Sequence, residues 1–164
     1  MNRNWVLNAS PLILLGKADL LKTIGPLAQV WIIPEGVVLE IEIKNPIESY
    51  LPEASSDFKV RREKVSKIDA AIASWDLGQG ESEVLTLALR KPGTGVVLDD
   101  LQARKCATVL DVPLIGTLGL ILLAKRRGLL NLAKPAIDQL IDVGLHIDPV
   151  MVSSILVEIG ESGK

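Results

Sequence analysis

The chain has a single cysteine in 164 residues, which excludes an intrachain disulfide framework and fits a reducing cytosol. Aromatics are scarce, with three Trp, one Tyr and one Phe, so an apolar content of 48% must come from aliphatic side chains. The one histidine, His146, lies far along the chain from Cys106, and Cys106 is expected in the core rather than as a nucleophile. No apolar run is long enough to cross a bilayer, which takes about 20 residues. The longest uncharged stretch goes only from Val112 to Ala124 and contains Pro113, Gly116 and Gly119. Charge of one sign is missing too. Eighteen basic residues against twenty acidic give a net charge of −2, which excludes a uniformly basic nucleic-acid binder but not a local basic face. The start of the chain superficially resembles a signal peptide. Asn8, Ser10 and Pro11 interrupt it, and Lys17 and Asp19 follow at once, so a cytoplasmic protein is expected.

What is present is an alternation of short apolar runs and helical patterns without internal repeats. Trp5 to Leu7, Ala28 to Ile33, Gly95 to Leu98 and Val112 to Ile115 read as strands. Ser10 and Pro11 are expected to open the first helix, and Pro34 and Glu35 the next, with Val37, Val38 and Ile41 inward. The stretch from Lys44 to Asp76 is the least legible. A helix from about Ser55 to Lys64 is expected there, carrying Arg61, Arg62 and Lys64, with Lys67 beyond. Those cations make either a solvated face or a nucleic-acid-binding one. Helices follow at Glu81 to Arg90, 100–110 and Leu118 to Arg127, and two amphipathic ones close the chain. No hairpin signal occurs, so the strands are expected to be parallel, joined by right-handed crossovers. One domain over 1–164 is expected, with helices 131–160 packed on it or used in oligomerisation.

The chemistry gathers around Gly95 to Arg104. An apolar strand ends in Asp99 and Asp100, and a helix starts at once, with Leu101, Cys106, Val109 and Leu110 expected inward. Ligands of open α/β sheets bind at the carboxyl ends of strands. Either Asp could cap the helix, but one cap needs one Asp, so the pair leans towards metal or acid chemistry. Asn8 and Ser10 follow the first strand and Thr117 the fourth, while Glu40, Glu81 and Glu83 sit on helices able to lean over the same edge. Carboxylates converging without His or Cys make a hard oxygen site suited to Mg²⁺ or Mn²⁺. Such a site can serve phosphodiester hydrolysis, since acids without a cation would repel a phosphate backbone.

Four segments carry a resemblance. Val6-Leu-Asn-Ala-Ser-Pro-Leu-Ile, Ile33-Pro-Glu-Gly-Val-Val-Leu-Glu40, Gly80-Glu-Ser-Glu-Val-Leu-Thr-Leu-Ala88 and Val97-Leu-Asp-Asp-Leu-Gln-Ala-Arg104 resemble the PIN-domain motifs in their order. The resemblance implies a three-layer, Rossmann-like α/β/α sandwich around a mainly parallel sheet of about four to five strands. It implies a Mg²⁺/Mn²⁺-dependent ribonuclease acting on single-stranded RNA. Such proteins are often the toxin of a toxin–antitoxin pair, and often a homodimer or larger oligomer. Glu40 matches the second acid, Glu83 or its neighbour Glu81 the third, and Asp100 the fourth, with Asp99 beside it. The implied catalytic set is Glu40, Glu83 and Asp100; Asp99 and Asn8 join the metal ligands, with Ser10, Glu81 and Thr117 behind them. Asn8 stands where the family usually has Asp, and Gly116-Thr117 replace a final acid, so the alternative is a degenerate domain that binds RNA or a protein without cleaving. A receiver domain also pairs two acids, but there the pair follows the first strand, not the third.

Overall fold

The computed structural model describes residues 3–47, 50–53, 55 and 58–162. Five parallel strands form one sheet in the order β3-β2-β1-β4-β5. They are β1 (Trp5–Leu7), β2 (Trp31–Pro34), β3 (Val60–Glu63), β4 (Gly95–Val97) and β5 (Leu114–Ile115). The central strands β1, β2 and β4 are buried along their whole length, which is why they read as unbroken apolar runs rather than alternating ones.

Helices cover both faces. Between β1 and β2 lie α1 (Ala9–Lys17), α2 (Leu21–Ile24) and a 3₁₀ turn at Gly25–Leu27, and between β2 and β3 lies α3 (Glu35–Lys44). The return from β3 to β4 carries α4 (Ala70–Ala73) and α5 (Gln79–Arg90). Beyond β4 come α6 (Leu101–Val109), β5, α7 (Thr117–Arg126), α8 (Lys134–Asp142) and α9 (Pro149–Glu158). Right-handed crossovers send α1 and α3 to one face and α5 and α6 to the other. Helix α1 lies against α3, α7 and α8, and α5 lies against β1, β2 and β4 and also meets α3, through the Gly36 N–H and Glu83.

Three expectations need correction. The helix expected over 55–64 gives way to strand β3 at the sheet edge; residues 56 and 57 lie outside the described residues. Parallel pairing of Trp31 with Val60 through Pro34 with Glu63 sets that strand, and Phe58 just before it stacks on Trp31 at 5.7 Å. An edge strand with a solvated face has no apolar alternation to announce it. Ser10 is not the cap of α1: the helix begins at Ala9 with Asn8 at the N-cap. On α6, Leu101 and Val109 are exposed at 72% and 68%, and the buried line is Ala103, Cys106 and Ala107. Small side chains let that helix lie close to the sheet, so its larger residues face outwards.

The C-terminal helices are fastened by one buried carboxylate. Glu161 is 4% exposed, accepts from the backbone N–H of Ala133 (2.8 Å) and Lys134 (2.9 Å) at the start of α8, and pairs with the Lys125 ammonium. Burial alone would raise its carboxyl, but the Lys125 contact and the two backbone N–H bonds prevail and hold it at about 2, against 4.5 for the free group. A lowered folded value means a contribution that is complete above pH 4.5 and lost as pH falls towards 2. Glu161→Gln is therefore expected to cost on the order of 2 kcal/mol at pH 7, because it leaves the partly exposed Lys125 ammonium with the Ile159 carbonyl alone among the described residues. Urea unfolding of both proteins from pH 7 down to pH 3 checks this. The gap between them should narrow with acid, and a gap independent of pH would contradict the assignment.

Candidate metal centre at the strand ends

The strand order turns back between β1 and β4. From β1 the chain adds strands outward through β2 to β3, then returns to the other side of β1 with β4 and β5. Crevices for ligands open at such a reversal, outside the carboxyl ends of the two strands. Leu7 pairs with Val97 there, and the Asn8 N–H donates to the Val97 carbonyl at 3.3 Å. The residue after β1 and the acids after β4 are thus neighbours by sheet geometry alone.

An open cleft of about 390 Å³ lies at this point, lined by Asn8, Ser10, Leu14, Glu40, Lys44, Glu81, Asp99, Asp100 and the Gly144–His146 segment. Helix α3 brings Glu40 and the first turn of α5 brings Glu81. Helices α1, α6 and α7 all begin at this edge, so their positive ends face the acids and partly offset them.

Each acid has a different tie. Asp100 caps α6, accepting from the Ala103 N–H at 3.0 Å. Asp99 spends both oxygens on Thr117, one on its N–H at 2.8 Å and one on its hydroxyl at 2.6 Å. The pair therefore does cap, with Asp100 at the start of α6 and Asp99 at the start of α7, so two helix starts account for both acids. Glu40 is bound by Lys44 one turn on, 2.9 Å away. Glu81 sits between them, and its carboxyl is raised to about 7. Burial is the main cause, followed by the charge and hydrogen bond of Asp100 and the charge of Glu40, with Lys44 opposing.

Glu83 stands elsewhere. It is 5% exposed and accepts from the Gly36 N–H at 3.0 Å and from the Gln79 amide at 2.7 Å. A side chain at Gly36 would collide with this carboxylate, so glycine there lets α3 start hard against α5. Of the expected catalytic three, Glu40 and Asp100 line the acidic cleft. Glu83 instead shares a neighbouring apolar cavity with Glu40, Lys44 and Lys64, and Glu81 takes the cleft position. Helical spacing turns residues two apart in opposite directions, and only packing shows which one faces in.

Among the basic residues, Lys64 borders that second cavity beside Glu40. Arg61 pairs with Glu63 at 2.7 Å on the edge strand and Arg62 is exposed. Lys67 is exposed, and its carbonyl accepts from Arg90. Two cleft residues escaped the sequence reading. Lys44 was legible as the i+4 partner of Glu40, but His146 gave no signal, because its place depends on how α8 and α9 fold back.

The donors suit a hard divalent cation. Glu40, Glu81 and Asp100 supply oxygens, and the buried Asn8 Oδ1 has no hydrogen-bond partner among the described residues. A Cβ on Gly80 would stand 3.1 Å from Glu40 Oε1 and 3.6 Å from Asn8 Oδ1, so glycine lets the start of α5 pass close to both oxygens. Among the described residues no group of three or more His, Cys, Asp or Glu side chains is placed so that it could hold a metal ion. Mg²⁺ does not need such a group, since it keeps several waters and takes one or two carboxylates. A family model described as PIN domain matches residues 4–161. No curated protein matches the chain.

The division of labour between Glu81 and Glu83 is measurable. A raised folded value means that Glu81's contribution is complete below pH 4.5 and lost as pH rises through about 7. Without divalent ions, Glu81→Gln should gain stability over wild type progressively between those values. Glu83→Ala should instead lose on the order of 2 kcal/mol, since it leaves the Gly36 N–H unpaired. Denaturant midpoints across pH in EDTA check both, and a stabilising Glu83→Ala would reverse the assignment.

Proposed function

Because the chain belongs to the PIN-domain family, we propose that it is a Mg²⁺- or Mn²⁺-dependent ribonuclease that hydrolyses RNA phosphodiesters at the cleft of Asn8, Glu40, Glu81, Asp99 and Asp100. The observation that carries this reading is the buried Asn8 Oδ1, without a hydrogen-bond partner among the described residues, on a residue that lines the cleft with four carboxylates and one ammonium. Such a surplus of oxygen ligands suits a hard divalent cation. Bound there, a divalent ion supplies charge for the phosphoryl oxygens and an activated water.

The chain's own residues do the rest. Glu40, Glu81 and Asp100 would hold the ion, with the Asn8 amide oxygen as a neutral fourth ligand. The Glu81 carboxyl is raised to about 7 first by burial and then by the Asp100 and Glu40 charges, and a cation beside it would favour its ionised form. Asp99 fixes the start of α7 through Thr117 and so sets the wall of the cleft. Lys64, Lys67, Arg61 and Arg62 lie on and after edge strand β3, whose carboxyl end shares the site's side of the sheet, and contribute attraction for the RNA backbone.

A wider reading extends from this. No helix among the described residues is long and apolar enough to cross a membrane, and we place the protein in the cytoplasm as the toxin of a toxin–antitoxin pair. Leu39 and Ile43 on α3, with Ile47 beyond it, and Val150, Met151 and Val157 on α9 are exposed, and they supply apolar surface for an antitoxin or a second copy in a homodimer. A second reading, a domain that binds RNA without cutting it, is favoured by the missing charge at Asn8 and by both Asp99 oxygens being engaged.

A cleavage assay on single-stranded RNA with Mg²⁺, Mn²⁺ or EDTA separates the two. Wild type is expected to cleave with metal only, Asp100→Asn to lose cleavage and Mn²⁺ binding, and Asn8→Asp to bind Mn²⁺ more tightly. Cleavage that persists in EDTA, or equal rates for wild type and Asp100→Asn, would refute the metal nuclease. No cleavage by wild type together with cleavage by Asn8→Asp would favour the degenerate domain.

A further inference from the structure

The cleft contains two nitrogen bases that the acid motifs do not account for. Asn8, Glu40, Glu81, Asp99 and Asp100 present mainly acceptor oxygens, and a phosphodiester also offers only acceptors. A cation could bridge carboxylate and phosphate, but it would fix only the oxygens it touches, so N–H or O–H donors are what holds the rest of the strand. Among the described residues lining the cleft, the basic donors are Lys44 and His146. Lys44 stands on the last turn of α3 and His146 between α8 and α9, so they reach the cleft from separate elements.

His146 is held in place on both sides. Before it, the Gly144 N–H donates to Ile141 (3.1 Å) and the Leu145 N–H to Leu140 (2.9 Å), closing the end of α8, with Gly144 at φ 120°. Leu145 packs against the core. After it, Asp148 caps α9, accepting from the Val150 N–H at 2.9 Å. The histidine sits in a short linker pinned at two helix ends, yet its side chain is exposed and makes no hydrogen bond or ion pair among the described residues. Lys44 is 61% exposed and shares one contact with Glu40, which leaves N–H groups for another acceptor.

We propose that Lys44 and His146 form a two-sided clamp over the carboxylate cleft, each donating to phosphate oxygens of a single RNA strand laid across it. His146 is thereby a substrate-contacting residue of this site, brought there by the C-terminal helices. The clamp rests on reading the cleft as an RNA site. Lys44 pairs with Glu40 here, and it would be released to phosphate where a divalent ion held that carboxylate.

Two measurements separate the clamp from the metal. Mn²⁺ affinity is read by titration calorimetry. RNA affinity is read by fluorescence anisotropy of a labelled single-stranded oligonucleotide, in Ca²⁺ and in EDTA, with a gel confirming that the RNA stays intact. His146→Ala and Lys44→Met should each weaken RNA binding about 10-fold in Ca²⁺. His146→Gln, which keeps an N–H, should recover most of the loss. Lys44→Met should also lower the salt slope of binding by about 0.7. The two variants should diverge on Mn²⁺, with His146→Ala unchanged and Lys44→Met tighter. RNA affinities within about twofold of wild type for both variants would overturn the clamp, as would loss of Mn²⁺ binding in His146→Ala. A wild type that binds Mn²⁺ nowhere sinks the metal nuclease instead, and the anisotropy in EDTA then decides the clamp on its own.

Discussion

Parallel pairing of β1 with β4 is the constraint on which the rest depends. It joins segments some ninety residues apart in register, Trp5 with Gly95 and Leu7 with Val97. It also reverses the direction in which strands are added to the sheet. Side by side, the ends of these two strands leave a crevice that no intervening helix fills. Asn8, Asp99 and Asp100 are polar because they stand at that crevice, whereas the residues just before them, Leu7 and Leu98, are fully buried.

Keeping several carboxylates in one place then shapes the surrounding packing. Three helix starts face the cleft, and two of the acids are tied to them through Ala103 and Thr117. These bonds use each acid twice, as a cap that fixes a helix and as a charge that lines the cleft. Glu40 is balanced by a lysine of its own helix, whereas for Glu81 burial and the neighbouring acids outweigh that lysine and raise its carboxyl to about 7. Glu83, two residues on, is satisfied by the Gly36 and Gln79 donors and serves the joint between α3 and α5. Adjacent acids on one helix thus do unlike work because one meets donors and the other meets charge.

The far end of the chain contributes as much as the motifs. Helices α8 and α9 are anchored through Glu161, whose carboxylate joins Lys125 of α7 to the first N–H groups of α8. That anchoring, with the packing of α8 on α1, carries the Gly144–His146 turn to the lip of the cleft. A lysine near one end of α7 therefore helps to set what stands over acids at the carboxyl edge of the sheet.

The sequence by itself determined the parallel α/β class, the buried strands at Trp5 and Val96, the helix opened by Pro34 and Glu35, and Asn8, Glu40 and Asp99-Asp100 as a polar set. Those features are local: apolar runs, caps and helical spacing act over a few residues and leave their mark in the order of the letters. Tertiary structure decided the rest. It chose Glu81 over Glu83 for the cleft, because a helix face is assigned by what packs on it. It made Val60 to Glu63 a strand, because the edge of β2 offered a ladder that no local preference specified. It turned Leu101 and Val109 outwards, because Ala103, Cys106 and Ala107 allow the closer approach. It set His146 beside Asn8 and Asp100, because that proximity comes from the return of two helices across the fold, and no periodicity in the chain encodes it.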